Sequence, residues 1–430
     1  MEPQGLRFSL SSFEYFLLKK AKYLLCAGDI PSGGKRTPKR YRYAVSHFNV
    51  EAEKATERKL PRRPVIYDTT LRDGEQMVGV RFTQAQKLDI ARGLAKIGVH
   101  QIEAGFPAVS DEELRAIKAI VKEGLGPKIL VLSRILKEDI DAAVDSGADM
   151  VMLFVATSDI HLKHKLHMTR GQVRQMLAEA LEHARSRGIE FSFTPEDATR
   201  SDWGFMETLF RKAEEAGASR LGIADTTGSA TPEATALVIR KLKRISKLPL
   251  SVHMHNDFGL ALANALAGFR EGATHINASV SGIGERAGNV PLEQLVGAVQ
   301  VLYGIDMGID MEGLTNLSHL VCRYAKVQMA PHAPIVGRNA FAHESGIHVA
   351  AVLKDPSTYE PIPPECVGNE RRICFGKHSG RTAVRKKLEE RGLVKDDAFV
   401  EKVLRKVKAR GEENGGVSEA EFWEIVQGLG

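Results

Sequence analysis

Val65-Ile66-Tyr67-Asp68-Thr69-Thr70-Leu71-Arg72-Asp73-Gly74-Glu75-Gln76 runs from a short apolar segment straight into a charged turn. The apolar part reads as a strand, Val65–Thr69, and the helical period over Gln84–Lys96, with Leu88, Ala91, Leu94 and Ala95 on one face, completes a βα unit. The turn between them separates two parallel architectures. A doubly wound sheet more often carries a glycine-rich nucleotide turn after its first strand, whereas Leu-Arg-Asp-Gly-Glu-Gln presents charged side chains. Outward from this unit the rhythm repeats, with strand candidates at His100–Ala104, Ile129–Leu132, Met150–Phe154, Phe191–Thr194, Arg220–Ala224, Leu250–His253 and Thr274–Val280. Gln172–Arg187 is a further clear helix, and Gly98, Gly147, Gly188, Gly217 and Gly272 each stand shortly before the next strand, where a helix C-cap glycine belongs. Eight such units in roughly 240 residues predict an α/β fold, a (β/α)8 TIM barrel over residues 65–305. Pro331–Pro334, Pro361–Pro364 and a charged tail of helical period predict a mostly helical accessory region over 306–430.

Of the 430 residues 43% are hydrophobic, enough to bury a large core. No stretch approaches the ~20 uninterrupted apolar residues of a membrane span, so the chain is expected to stay in water, away from membranes. Four cysteines, Cys26, Cys322, Cys366 and Cys374, are too few and too irregular for a disulfide framework, which favours a reducing cytoplasm. The net charge of +6 belongs to the leader: residues 1–64 hold 14 Lys/Arg against 6 Asp/Glu. That basic extension reads as a solvated, flexible segment, with nucleic acid or acidic lipid as the other reading.

In a barrel, functional side chains gather where strands end at the C-terminal face. Arg72, Asp73, Glu75 and Gln76 follow the first strand, Glu196 and Asp197 the fifth, and Asp225, Thr226 and Thr227 the sixth; His253-Met-His-Asn-Asp257 closes the seventh. His253 and His255 are two apart, so on a strand both point the same way. With Asp73 across the mouth and Asn289 beyond the eighth strand they form a donor set suited to Mn²⁺, Mg²⁺ or Zn²⁺. A hydrogen-bonded structural pair is the other reading of His-x-His, and a strand-end salt bridge the other reading of Arg72 and Asp73. An open metal site beside an arginine suits a 2-oxo acid, whose carboxylate and keto oxygen can chelate the ion while Arg72 faces the developing oxyanion.

Six stretches carry a family resemblance: Asp68–Gln76, Pro195-Glu-Asp-Ala-Thr-Arg200, Ala224-Asp-Thr-Thr-Gly228, His253–Asp257, Gly282-Ile-Gly-Glu-Arg-Ala-Gly-Asn289 and Phe341-Ala-His-Glu-Ser-Gly-Ile-His348. In this order they resemble the isopropylmalate, citramalate and homocitrate synthases, metal-dependent acyltransferases on a TIM barrel. The resemblance implies condensation of acetyl-CoA, as co-substrate, with a 2-oxo acid. It implies Asp73, His253, His255 and Asn289 as metal ligands and Arg72, Glu196, His343 and Tyr359 as catalytic groups. Gln76, Thr194 and Thr227 are implied on the 2-oxo acid. A homodimer whose accessory regions reach across to the partner barrel is also implied. Read without it, His343 and His348 are polar caps of a helical linker. Which group takes the acetyl proton stays open between Glu196 and His343. Phe375-Gly-Lys-His-Ser-Gly380 reads either as a phosphate-facing turn with Lys377 or as an interdomain turn.

The motif set is most similar to archaeal homocitrate synthases, which lengthen 2-oxo diacids; 2-oxoglutarate is the expected substrate, with 2-oxoisovalerate and pyruvate as alternatives. Only 50 residues follow Gly380, so no C-terminal regulatory domain of the isopropylmalate type is expected. One departure stands out. Lysine-pathway homocitrate synthases have an arginine four residues before the catalytic glutamate, where this chain has Ser192. Arg134, ending the third strand, is then the candidate cation for a distal carboxylate, or else a surface residue. A related acyl-CoA lyase lacks support, since no Gly-Cys-Pro loop is present. A biotin-dependent carboxyltransferase would want a partner domain or an attachment lysine in its usual context, and none is apparent, while the intact metal and acid–base positions argue against a nucleic-acid-binding barrel.

Overall fold

A computed structural model describes residues 43–56, 60–61, 63–394 and 396–429; most of the basic extension, with its flexibility and charge readings, lies outside the described residues. Eight parallel strands close into a barrel in sequence order: β1 Val65–Asp68, β2 Gln101–Gly105, β3 Lys128–Arg134, β4 Met150–Ala156, β5 Glu190–Glu196, β6 Arg220–Asp225, β7 Leu250–Met254 and β8 His275–Ala278. β8 returns to β1 with Val65 opposite His275 and Asp68 opposite Ala278. Alternation along the strands sorts side chains onto two sides. Ile66, Ile102, Val131, Phe193, Leu221, Ile223, Val252 and Ile276 pack outward into one large core under the helices. Tyr67, Leu130, Met150 and Met152 form a separate small cluster inside the barrel.

The TIM barrel and its helical continuation are therefore the fold of this chain. All five C-cap glycines have positive φ, a backbone conformation that costs a residue with Cβ. One helix differs in phase from its reading. Gln84–Lys96, capped by a Thr83/Gln86 box, buries Lys87, Ile90, Ala91 and Leu94, whereas Leu88 and Ala95 are only half-buried. The buried face contains a lysine that an apolar pattern passes over. Lys87 Nζ is 2.6 Å from Glu75 and 2.5 Å from Glu113, tying the turn after β1 to the start of helix Asp111–Glu123 after β2.

Helix Leu314–Ala325 lays Leu314, Leu317, Val321 and Ala325 on the barrel core. Farther on, helices Arg381–Glu389, Asp397–Asn414 and Glu419–Gln427 enclose a second core of Val384, Leu388, Val403, Val407 and Phe422. A two-residue parallel pair, β9 Ala342–His343 and β10 Arg372–Ile373, lies between these parts. Within the stretch read as an extension, Tyr43 and Val45 pack on the main core, Ala44 N donates to Pro361 O, and helix Phe48–Ala55 sends Glu53 to Arg270. Among the described residues no helix is long and apolar enough to cross a membrane.

Candidate active site

Thr69 shapes the first loop: its carbonyl accepts from Arg72 N and Gly74 N, and its hydroxyl accepts from Asp73 N. The turn aims Arg72 and Asp73 into the barrel mouth. Glu103, fully buried on β2, accepts from Arg72 Nε at 2.7 Å and from Nη2 at 3.2 Å, and Asp73 Oδ1 lies 3.4 Å from Nη1. Burial opposes the Arg72 charge, but Glu103 and Asp73 more than offset it and hold the guanidinium protonated. Gln76 lies at the exposed rim, 3.5 Å from Arg72.

His253 and His255 face Asp73 from β7 and its end. Their Nε2 atoms are 3.1 Å apart and lie 3.7 and 3.6 Å from Asp73 Oδ2. A short chain of bonds sets the His253 ring. Asn277 donates its amide to Tyr67 O, which turns its Oδ1 toward His253 Nδ1 at 2.5 Å; Nδ1–H donates there and the Nε2 lone pair points into the site. Burial lowers both imidazole pKa values, His255 to about 4, so both rings stay neutral and available as donors. Burial would raise Asp73, but the charge beside it, Arg72 foremost, more than offsets this and keeps the carboxyl ionised. Asp73 Oδ2 and Asn289 Oδ1 are buried without a hydrogen-bond partner, while Asn289 Nδ2 is spent on Ile283 O. Two neutral imidazoles, a carboxylate and an orphaned amide oxygen converge, a donor set that fits a divalent cation.

Opposite, β5 ends in Glu196 and Asp197. Glu196 is held by Lys165 Nζ at 2.6 Å, from the π-helical turn Leu162–Leu166, with His161 Nδ1 at 3.7 Å. Asp197 takes a left-handed conformation, φ 60°, fixed by Thr226, Ser158 and Arg200. Thr194 lies on β5 against Gly222, and Thr227 bonds Ser229 at the rim. Arg134 ends β3 half-exposed, its guanidinium on Asp139 at 2.6 Å and over the Phe106 ring.

Two expected groups stand elsewhere. Among the described residues His343 bonds Glu360 at 3.1 Å, and Arg371 grips the same carboxylate; Tyr359 stacks on His348, ring centres 3.9 Å apart. Neither bonds a strand-end group of its own barrel. Around Phe375–Gly380 the turn is filled from within: His378 N donates to the Glu344 carboxylate, and a Cβ on Gly376 would lie 2.5 Å from that carboxylate. Motif reading passed over Glu103 and Asn277, which hold Arg72 and His253 in the site. Their signal was a polar side chain inside an otherwise apolar strand, on the face that points into the barrel.

A closed parallel barrel with a buried two-histidine, one-aspartate donor set and an arginine beside it defines an enzyme of metal-assisted carbonyl chemistry. The "HMGL-like" family model matches residues 63–321, and "Homocitrate synthase post-HMGL domain-like" matches 335–415. "Homocitrate synthase AksA" of Methanopyrus kandleri is 48% identical over 377 residues, covering 88% of this chain and 95% of its own. A "Probable 2-isopropylmalate synthase" of Ignicoccus hospitalis is 48% identical over 369 residues, covering 86% and 92%. In fold, HMG-CoA lyase from Bacillus subtilis superposes with a TM-score of 0.57 at 20% identity, over 63% of this chain and 96% of that one. The chain belongs to the HMGL-like family, in its branch of acetyl-CoA-condensing synthases. It is an enzyme that joins acetyl-CoA to a 2-oxo acid and depends on a divalent metal.

Proposed function

We propose that the 2-oxo acid is a diacid, 2-oxoglutarate in the first place, giving homocitrate and CoA. The M. kandleri relative, which this chain spans almost end to end, is a homocitrate synthase by name. The observation that carries the chemistry is the convergence of Asp73, His253 and His255 beside an arginine locked by Glu103. Asp73, His253, His255 and Asn289 would hold a divalent cation, whether Mn²⁺, Mg²⁺ or Zn²⁺, which would supply Lewis-acid polarisation of the 2-oxo acid. Arg72 donates to the keto oxygen, where negative charge grows as the new carbon–carbon bond forms.

The acetyl methyl loses its proton to Glu196 or to His343, the carbanion adds to the keto carbon, the resulting oxygen is protonated, and water releases CoA from the thioester. In this reading Lys165 leaves Glu196 when substrate arrives, and His343 with Tyr359 comes from the accessory region of a second copy, so the working form is a homodimer. Thr194, Thr227, Gln76 and Arg134 line the path of the 2-oxo acid. The expected compartment is the cytoplasm.

The test is acetyl-CoA-dependent thiol release with Mn²⁺ or Mg²⁺, comparing 2-oxoglutarate, pyruvate and 2-oxoisovalerate, with EDTA as control. Preference for 2-oxoglutarate supports the proposal. The Ignicoccus relative is as similar as the homocitrate synthase, so preference for 2-oxoisovalerate would assign isopropylmalate synthesis instead.

A further inference from the structure

Below the catalytic layer the barrel holds a second arginine. Arg220 opens β6 with its side chain inside the barrel, 3% exposed. Its neighbours account for only part of its hydrogen bonding. Nη1 donates to the neutral Gln101 Oε1 at 2.8 Å, Nη2 faces the sulfurs of Met152 and Met150 at 3.5 and 3.9 Å, and Nε has no partner. The Tyr67 ring lies under the guanidinium, 4.9 Å away. The two carboxylates near enough to act on this charge are occupied: Glu103 grips Arg72, and Glu190 pairs with Lys128 at 2.5 Å. A buried cation held by one amide, two thioethers and a ring is costly, and burial accordingly lowers its pKa.

Ser192 stands beside it. On β5 it is directly in register with Arg220, and its buried hydroxyl oxygen has no partner either. An unpaired cation and an unpaired hydroxyl thus share one rung of the barrel. Thr194 lies two residues above Ser192 on the same face of β5, roughly 7 Å along the strand. Glu196 lies a further two above that. On β6 the residue paired with His253 is Ala224, four residues beyond Arg220 on the same inward face, so the guanidinium lies beneath the metal site along the barrel axis. The thioethers against it are flexible and easily displaced side chains.

We propose that Arg220, with Ser192, receives the distal carboxylate of a 2-oxo diacid whose keto end lies at the Asp73, His253 and His255 site. This rests on the diacid reading above and deepens it: the specificity cation is the unpaired one in the barrel interior. Arg134 at the rim already has Asp139 as its partner. A monoacid of the same length leaves Arg220 uncompensated, which sets selectivity through the charge itself.

The experiment uses the full chain with Mg²⁺ and measures calorimetric Kd for 2-oxoglutarate and for 2-oxovalerate, the five-carbon acid lacking the distal carboxylate, together with KM for whichever is turned over. Wild type, Arg220→Met, Arg220→Lys, Ser192→Ala and Arg134→Ala are compared. Arg220→Met is expected to weaken 2-oxoglutarate on the order of 100-fold and 2-oxovalerate by less than about threefold, with Arg220→Lys in between and Ser192→Ala a several-fold effect on the diacid alone. Should Arg220→Met not fold, the Lys and Ala variants decide by the same diacid-to-monoacid ratio. Equal losses on both acids, or a diacid-selective loss in Arg134→Ala alone, overturn the assignment while leaving the diacid reading intact. A wild type that prefers 2-oxovalerate overturns the diacid reading and the assignment with it.

Discussion

Glu103→Gln isolates what the β2 carboxylate does for the reaction. In the native site Arg72 gives Nε to one oxygen at 2.7 Å and Nη2 to the other at 3.2 Å, with Glu103 fully buried and Arg72 nearly so. Glutamine keeps the shape but leaves one acceptor and no charge. The guanidinium then leans on Asp73, now 3.4 Å away, and both its aim at the keto oxygen and the charge on the metal ligand are disturbed. Disrupting one partner of a buried, hydrogen-bonded charge pair costs about 2–5 kcal/mol. Glutamine keeps one of the bonds, so the low end, about 2–3 kcal/mol, is the expected loss in the transition state, which corresponds to roughly 30- to 150-fold in kcat/KM. The fall should sit mainly in kcat, because Arg72 meets charge that develops only during addition. Steady-state thiol release at saturating metal, with a separate metal titration, measures it. A variant within threefold of wild type at unchanged metal affinity would refute the claim that Glu103 holds Arg72 for catalysis.

His253→Ala should abolish turnover and weaken Mn²⁺ binding by at least tenfold in a calorimetric titration; normal metal binding would remove it from the ligand set. Lys87→Met should lower unfolding free energy by about 3–5 kcal/mol, since Glu75 and Glu113 are left facing each other beneath the first two loops. A urea transition shifted by less than 1 kcal/mol would contradict it. Burial raises the Glu293 carboxyl from 4.5 to about 7. The native state therefore holds this proton where the unfolded chain has lost it, so the Glu293 contribution to stability falls as pH rises from about 4.5 to about 7 and is flat outside that window. Glu293→Gln should gain on wild type across that window, and a stability difference independent of pH would argue against it.

The barrel was legible in the sequence because each strand announced itself by its apolar run and five of the eight also by a glycine shortly before it. The metal donors were legible for a similar reason: His253 and His255 share a strand face, and Asp73 follows a strand end. Lys87 was not, because a helical stripe is read by its apolar members and Lys87 is buried against Glu75 and Glu113, on two other elements. Ser192 was noticed only as the place of a missing arginine, and its link to Arg220 escaped for the same physical cause. Neither is odd in its own strand, and their shared lack of partners exists only once β5 and β6 are in register. His343 marks a further limit, since its role depends on which barrel the accessory region covers, and a single chain pairs it with Glu360.

The two halves of the mouth are built for different tasks. Around the cation site the loops after β6, β7 and β8 lock together. Arg286, at φ 55°, grips Asp257 at 2.8 Å and donates to Thr226 O, and a Cβ on Gly288 would fall 1.9 Å from Gly282 O. Such close, strained backbone persists only where its surroundings over-determine it. It fixes Asn289 and the histidines before any ligand arrives. Across the mouth, Glu196 is held by Lys165, a half-exposed lysine on a π-helical turn. An ion pair of that kind contributes little and is readily exchanged. The preorganised side is the one that must meet developing charge, and the loosely paired side is the one from which a proton carrier has to be released. Lys165→Ala therefore bears on this division of labour directly: it should change kcat and leave metal affinity in a calorimetric titration unchanged, because only the Glu196 side of the mouth depends on it, and a loss of metal affinity would contradict the division.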